Sequence, residues 1–121
     1  MKTVCFISVE TGTDWILSFA LQAEDDPYSI ESLILMRTPK YEVILEEFER
    51  RVSVHFERHG DDEIDYLEAV EFLRTDQVVR IKSMLNGYEL DVRKVGANDL
   101  HTMHNILQRM NFDNKFQLSG F

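Results

Sequence analysis

Histidine is the residue type in this chain best suited to metal binding and to acid–base chemistry. His101 and His104 are three positions apart in a segment with helical periodicity, which is close enough in angle for both to reach one metal ion. His55 and His59 lie near an acidic run whose oxygens could complete a shell. On a helical wheel, however, His101 lies nearly opposite the apolar stripe and His104 lies at its border, and no glutamate follows the first histidine. We therefore predict solvated histidines and no metal site.

Cys5 and several paired carboxylates are the remaining candidates for catalysis. Cys5 lies between Val4 and Phe6, and such an apolar setting indicates a buried, unreactive thiol. A hydrolase needs two carboxylates that face one cleft, but the pairs here fall in predicted loops or on the solvent face of a predicted helix. These pairs are Asp25-Asp26, Glu46-Glu47 and Asp61-Asp62. The five glycines form no phosphate-binding pattern, so we expect no cofactor, and the sequence favours a protein that is not an enzyme.

Charge is the strongest compositional feature, since 22 acidic and 13 basic residues give a formal net charge of −9. The acidic part is the middle, where residues 42–76 hold twelve acids and four bases. Nucleic acids and anionic membranes need a clustered basic surface, so we expect neither as a partner. The most charged and least periodic run predicts an exposed acidic surface that binds a protein partner. Its carboxylates are Glu57, Asp61, Asp62, Glu63 and Asp65.

Length and hydropathy set the class of protein. The 121 residues correspond to one domain, no linker divides them, and we predict a single domain over residues 1–121. No apolar run approaches the roughly 20 residues that cross a bilayer, and the first ten residues turn polar too soon for a signal peptide. One unpaired cysteine fits a reducing compartment. We therefore expect a cytoplasmic protein.

The most informative local pattern lies in residues 78–95, where Asn86-Gly87 separates two runs of alternating apolar and polar residues. An Asn-Gly loop supplies the positive φ angles of a type I′ turn, which predicts a β-hairpin with a defined register. The predicted pairs are Leu85–Tyr88, Ser83–Leu90 and Ile81–Val92 on one face, and Lys82–Asp91 on the other.

Residues 4–9 are apolar on both faces except at Ser8, which predicts a strand well inside a sheet. Further strands are predicted over residues 15–22, 30–36 and 52–56, and a last short strand over 115–118. Residues 66–73 fit either a strand, with Val70 and Phe72 facing inward, or a short helix that begins near residue 62. The alternation favours the strand. We expect the apolar end, Phe121, to dock on the body of the protein.

Periodicity of 3.6 residues predicts two helices. The first begins at Thr38-Pro39, where threonine can cap the helix and proline loses no hydrogen bond, and it runs to about residue 50. Its predicted buried stripe is Tyr41, Ile44, Leu45 and Phe48, and its predicted ion pairs are Glu46–Arg50 and Glu47–Arg51. The second helix has Asn98 as its N-cap and a stripe of Leu100, Met103, Ile106, Leu107 and Met110.

These elements predict an α+β fold, a mainly antiparallel β-sheet with two helices packed on one face. The order of three strands, a helix and a strand occurs twice. This suggests an internal βββαβ repeat, although the halves share hardly any identities.

The function expected from these patterns is that of a small acidic interaction or regulatory protein of a bacterial type. It would bind a protein partner, or a second copy of itself, through an uncovered sheet face or edge. One form would be an immunity-like or antitoxin-like protein that masks a basic partner. The alternative is a small-ligand-binding or metal-binding protein or an enzyme. Its pocket would lie between helices and sheet and use His104, His55 or nearby carboxylates.

Overall fold

Strands dominate the computed structural model, which describes residues 1–60 and 63–121. The strands are β1 (Lys2–Thr11), β2 (Trp15–Gln22), β3 (Ile30–Arg37), β4 (Ser53–Phe56), β5 (Leu67–Leu73), β6 (Val78–Ser83), β7 (Gly87–Asp91) and β8 (Gln117–Ser119), and the main helix is α1 (Ala97–Met110). Short 3₁₀ turns span Pro39–Ile44, Glu47–Glu49 and Glu57–His59. No helix in the described part of the chain is long and apolar enough to cross a membrane.

The strands form one sheet in the order β4-β3-β2-β1-β7-β6-β5-β8. Neighbours are antiparallel except that β1 runs parallel to β7 and β5 runs parallel to β8. The seam between β1 and β7 is short and includes the pair of Lys2 with Leu90. A second seam forms where Ser53 of β4 bridges to Tyr66, directly before β5. The sheet therefore curves until β1–β4 and β5–β7 meet on both sides of one interior.

The interior is filled by alternate residues of the strands and by one stripe of α1. In β2, Leu17 and Phe19 point inward and lie opposite Leu35 and Leu33 of β3. The stripe predicted for the second helix is confirmed, with four residues buried and the first of the five partly buried: Met103, Ile106, Leu107, Met110 and Leu100. Burying each large apolar side chain contributes roughly 1.5–3 kcal/mol. The helix begins one residue before Asn98, and Gly96 occupies the N-cap position.

The predicted strands are confirmed, and the ambiguous residues 66–73 form β5 with Val70 and Phe72 facing inward. The chain end also docks as predicted. The ring of Phe121 stacks on Phe72, with centroids 5.4 Å apart, and on His104, with centroids 4.6 Å apart. Gly120 has a φ of 85° and lies so close to the Phe72 carbonyl that a Cβ would collide with it. Only glycine fits there.

The first predicted helix is not an α-helix. Two 3₁₀ turns occupy residues 39–49, and the backbone between them is extended at Leu45 and Glu46. The buried side chain of Arg37 explains the difference, because its guanidinium binds the Glu42 carboxylate and the Arg50 carbonyl and fixes both ends of the segment. The predicted apolar stripe does not reach the core, and its residues are exposed or half-buried: Tyr41, Ile44, Leu45 and Phe48.

The predicted hairpin exists as β6 and β7, but its predicted register is wrong. The observed pairs are Val78–Asp91, Val79–Leu90, Arg80–Glu89, Ile81–Tyr88 and Lys82–Gly87. The connection is longer than two residues. Ser83 and Asn86 close it, since the Ser83 amide donates to the Asn86 carbonyl at 2.9 Å. Gly87 lies in the strand rather than at a position of positive φ.

The fold is therefore mainly β-sheet, with one main helix packed against it. Three strands, a connecting segment and a fourth strand follow one another twice along the chain, but the segment is two 3₁₀ turns in the first half and α1 in the second. The two closing strands differ in placement, since β4 is antiparallel to β3 whereas β8 is parallel to β5. The internal repeat stays a prediction.

Candidate functional site

The outer face of β1–β4 is a broad surface that no described element covers, because α1 packs on the inner face. Two rows of outward side chains cross β1, β2, β3 and β4 in that order: Ser8, Ser18, Ile34 and His55, then Glu10, Ile16, Met36 and Ser53. Serines between the larger side chains leave a depression of about 330 Å³. Isolated apolar residues are normal on a protein surface, but Ile16, Ile34 and Met36 are neighbours on β2 and β3 and form an apolar patch in the middle of this face, which is a feature of binding surfaces.

A second depression of about 430 Å³ adjoins the first and shares Met36 and Ser53 with it. It lies between the segment of residues 38–51 and Tyr66. We call the two depressions together the outer groove. The segment beside it displays apolar side chains, with Val43 79% and Ile44 80% exposed.

The rim of the outer groove carries negative charge that the described residues do not neutralise. The carboxylates of Glu10, Asp14 and Glu49 line the groove, and no described basic side chain lies within 4.0 Å of them. Asp14 accepts one hydrogen bond, from the Thr38 hydroxyl at 2.7 Å. A ligand with positive charge near its apolar surface would therefore complement this rim.

Arg37 fixes the wall between the groove and the core, and it is only 2% exposed. Its guanidinium donates to both oxygens of Glu42 at 2.7 and 3.0 Å, to both oxygens of Asp113 at 2.7 and 2.8 Å, and to the carbonyls of Met110 and Arg50. Burial alone would lower the pKa of Arg37, but the hydrogen bonds to Asp113 and Glu42 outweigh it and raise that pKa. The residue is a permanently charged structural anchor.

Arg51 differs from Arg37 because its guanidinium makes no hydrogen bond or ion pair with the described residues. It lies against two aromatic rings, with Cζ 5.2 Å from the centroid of Phe48 and 5.2 Å from that of Tyr66. Its Nε atom is buried and unpartnered. The ion pair predicted with Glu47 is absent, and that carboxylate lies 3.7 Å from Lys115 instead.

The outer face of β5–β7 is of opposite character. It bears a depression of about 560 Å³, but the charged side chains there pair across strands. Arg80 lies between Glu71 and Glu89 at 3.6 and 4.0 Å, and Lys82 lies 3.8 Å from Glu68. This arrangement satisfies its own charges and is typical of a solvated sheet face.

The described carboxylates of the predicted acidic surface, residues 57–65, lie in different environments and do not form one surface. The Glu57 carboxylate accepts from the Ser32 amide at 3.0 Å, and Glu63 lies 3.8 Å from Nδ1 of His59. Asp61 and Asp62 lie outside the described residues. Asp65 does not belong to a surface, because it is only 4% exposed.

Asp65 instead organises the turn between β6 and β7. Its carboxylate accepts from the amides of Tyr66 and Leu85, from the hydroxyl of Ser83 and from the side-chain amide of Asn86. This network sets the three-residue connection, residues 84–86, and shifts the hairpin register from the predicted one. The sequence did not indicate this role, because Asp65 lies in a charged run and could not be distinguished from its exposed neighbours.

The histidines do not converge. His55 lies on the outer face, whereas His104 stacks on Phe121 at the inner side of the sheet. Burial, with smaller contributions from His101 and Arg74, lowers the pKa of His104. Among the described residues no three histidine, cysteine or carboxylate side chains are grouped to hold a metal. Cys5, predicted to be buried, is half-buried at an irregularity of β1.

The sequence did contain a signal for the outer groove that the functional predictions did not use. Ile16, Ile34 and Met36 occupy the positions of β2 and β3 that alternate with the core residues, so both faces of these strands are apolar. Comparison with known proteins found no family model, no curated protein and no solved structure that matches this chain.

Proposed function

We propose that this protein is a non-enzymatic binding module that recognises a basic protein partner through the outer groove. The observation that carries the proposal is the apolar patch of Ile16, Ile34 and Met36 in the middle of the outer face of β1–β4, which the described residues leave uncovered. Burial of such a surface against a partner is favourable by roughly 25 cal/mol per Å² of apolar area before the costs of association.

The size and charge of the groove support a macromolecular partner. Four strands spaced about 4.8 Å apart give a surface about 14 Å wide, which suits a helix or strand of another protein. The unpaired carboxylates at the rim favour lysine or arginine around the apolar centre of that partner. The net charge of −9 would also speed the approach of a basic protein.

A second copy of this chain fits the groove less well. A twofold interface would bring the same rim carboxylates together, and like charges at an interface are unfavourable. Self-association is therefore an outcome that the experiment must detect rather than the proposal.

The test is selection from a random-peptide display library on the immobilised protein, followed by affinity measurements with three proteins. Ile34→Lys places a charge in the middle of the outer face. Leu73→Lys is the matched control, because it makes the same kind of change at a half-buried position on the outer side of β5. We expect peptides that combine apolar and basic residues to be enriched. Their affinity should fall at least about tenfold in Ile34→Lys and remain near wild type in Leu73→Lys, and it should weaken with salt.

Two results would overturn the proposal. One is peptides that bind Ile34→Lys and Leu73→Lys equally well, because the outer face would then not be the docking surface. The other is enrichment of acidic or uncharged peptides. A native mass of two chains that Ile34→Lys reduces to one would replace the basic partner with a second copy.

A further inference from the structure

Arg51 is the one arginine of the outer groove whose hydrogen-bonding capacity the described residues leave unused. Arg37, which lines the same depression, directs its nitrogens to two carboxylates and two carbonyls. Arg51 makes only aromatic contacts, and its Nε is buried without a partner. A guanidinium carries five N–H donors in a rigid fork, and the described residues accept none of those of Arg51.

An unpartnered buried donor destabilises the folded state, so its presence in Arg51 points to a function. Leaving such a group unsatisfied costs energy, and native proteins contain few of them. The rings of Phe48 and Tyr66, with centroids 5.5 Å apart and planes at 85°, hold the guanidinium in place. The cation is thus positioned in advance of any ligand, which is the arrangement that favours tight recognition of a planar anion.

The neighbouring groups add neutral donors. The phenols of Tyr41 and Tyr66 line the same depression as Arg51, and neither hydroxyl hydrogen-bonds to a described residue. A carboxylate can accept from both Nη nitrogens of a guanidinium, which unlike the Nε of Arg51 are not buried, and still accept from a hydroxyl. The set therefore suits a carboxylate.

The surrounding charges restrict which anions are suitable. Asp14 and Glu49 line the same depression, so a multiply charged ion such as phosphate would meet repulsion. A single carboxylate attached to an apolar chain avoids most of this repulsion, and basic groups beside it would lie toward the two acids. We propose that Arg51, with the Tyr41 and Tyr66 hydroxyls, is a subsite for one carboxylate of the docked ligand. That the ligand is a protein rests on the proposed function, but the chemistry of the subsite does not.

The first experiment uses the wild-type protein and a simple probe, sodium hexanoate. Arginine Nε–Hε signals are resolved in a ¹⁵N correlation spectrum, and the Arg51 signal is assigned by its loss in Arg51→Lys. We expect hexanoate to shift this signal saturably, with a midpoint on the order of millimolar. Hexanamide should be at least about tenfold weaker, because it lacks the charge. The signal of Arg109, whose guanidinium lies 4.7 Å from the Trp15 ring, is the internal control and should not move.

Hexanoate that leaves the Arg51 signal unmoved, or that moves the Arg51 and Arg109 signals alike, would overturn the subsite. Equal effects of hexanoate and hexanamide would do the same. These outcomes do not depend on the display selection. A saturable shift at Arg51 together with a failed peptide selection would support the carboxylate subsite and reject the protein partner in favour of a small carboxylate.

Selected peptides then identify the source of the carboxylate. Arg51→Gln should weaken a peptide with a free carboxylate about tenfold or more, whereas Arg109→Gln should not. Amidation of the peptide C-terminus abolishes that difference if the terminal carboxylate binds. Replacement of its acidic side chains by amides abolishes it if a side chain binds. A tenfold loss that survives both changes would contradict the assignment.

Discussion

Arg37 and Asp65 are both buried charged residues, but they are stabilised by different means. Arg37 is surrounded by charges of opposite sign, from Glu42 and Asp113, and by backbone carbonyls. Asp65 has only neutral donors, two backbone amides, one hydroxyl and one side-chain amide. The cation is held by ion pairs and the anion by dipoles.

The difference follows from what each residue joins. The partners of Arg37 come from the 3₁₀ segment and from the end of α1, so this side chain fixes distant parts of the chain relative to each other. The donors to Asp65 come from the hairpin turn and from the start of β5, so this side chain fixes a local conformation. Removing the arginine from a buried ion pair leaves the carboxylates without a counter-ion. Removing a carboxylate that accepts from neutral donors leaves those donors without a hydrogen-bond partner.

The largest effect is expected from Arg37→Met, which keeps much of the length of the side chain but removes the guanidinium that pairs with two carboxylates. Because Glu42 and Asp113 would lose their common counter-ion, we expect a loss of about 3–5 kcal/mol in the free energy of unfolding. Urea denaturation measures this loss. Limited proteolysis should also show cleavage within residues 38–51, which Arg37 no longer anchors. A stability within about 1 kcal/mol of wild type would mean that the network contributes no more than a surface ion pair.

The next effect is expected from Asp65→Asn. An amide replaces one acceptor oxygen by a donor, so two of the four donors around it lose their partner, and we expect a loss of about 2–3 kcal/mol. Hydrogen exchange at the Leu85 amide, which donates to Asp65 at 3.0 Å, should accelerate more than exchange at the inner strands. Asn86→Ala removes a single side-chain donor to Asp65 and is the control, with a smaller loss expected. Unchanged exchange at Leu85 would show that the turn does not depend on this carboxylate.

These two residues also mark where the sequence stopped being informative. Strand positions followed from local alternation, and the stripe of α1 followed from its period, because both patterns are repeated over many residues. The two errors of local structure arose where a single buried charge decides the conformation. Arg37 replaces a predicted helix by 3₁₀ turns, and Asp65 overrides a strong Asn-Gly turn signal. Neither effect has a period, and both depend on contacts distant in sequence.

The candidate site was predictable only in part. The expectation of an uncovered sheet face was general, and the apolar character of Ile34 and Met36 was visible in β3. The acidic surface was assigned to residues 57–65 from charge alone, but burial of Asp65 could not be read from composition. The environment of Arg51 required the fold, since Tyr66 reaches it only through the seam between β4 and the start of β5.

A pH experiment sharpens the comparison by testing whether charge holds Arg37. The hydrogen bond from Arg37 lowers the pKa of Asp113 below its usual value of 3.8. The folded state therefore keeps this carboxylate charged at pH values where the unfolded chain takes up a proton, and the resulting stability is present above 3.8 and lost as the pH falls through the folded pKa.

Asp113→Asn should accordingly cost about 1–2 kcal/mol near neutral pH, because one charge-assisted partner of Arg37 becomes neutral. The difference from wild type should shrink when unfolding is measured at about pH 3, because the unfolded wild-type chain binds a proton at this carboxylate more readily than the folded protein does. A difference that is the same at both pH values would indicate that Asp113 acts by shape rather than by charge.

The smallest effect is expected on the outer face of β5–β7, where charges pair without burial. Arg80 is more than half exposed and lies 3.6 Å from Glu71 and 4.0 Å from Glu89. Water screens such pairs and side-chain entropy opposes them, so Arg80→Met should change the free energy of unfolding by less than about 1 kcal/mol, and less still in high salt. The same substitution at Arg37 is its matched counterpart, and urea denaturation of the two variants measures how much burial and complete hydrogen bonding together add to an arginine with two carboxylate partners. Equal losses in both would remove the distinction between a buried anchor and a surface pair. A large loss at Arg80 alone would instead make the charged face of β5–β7 the structural one.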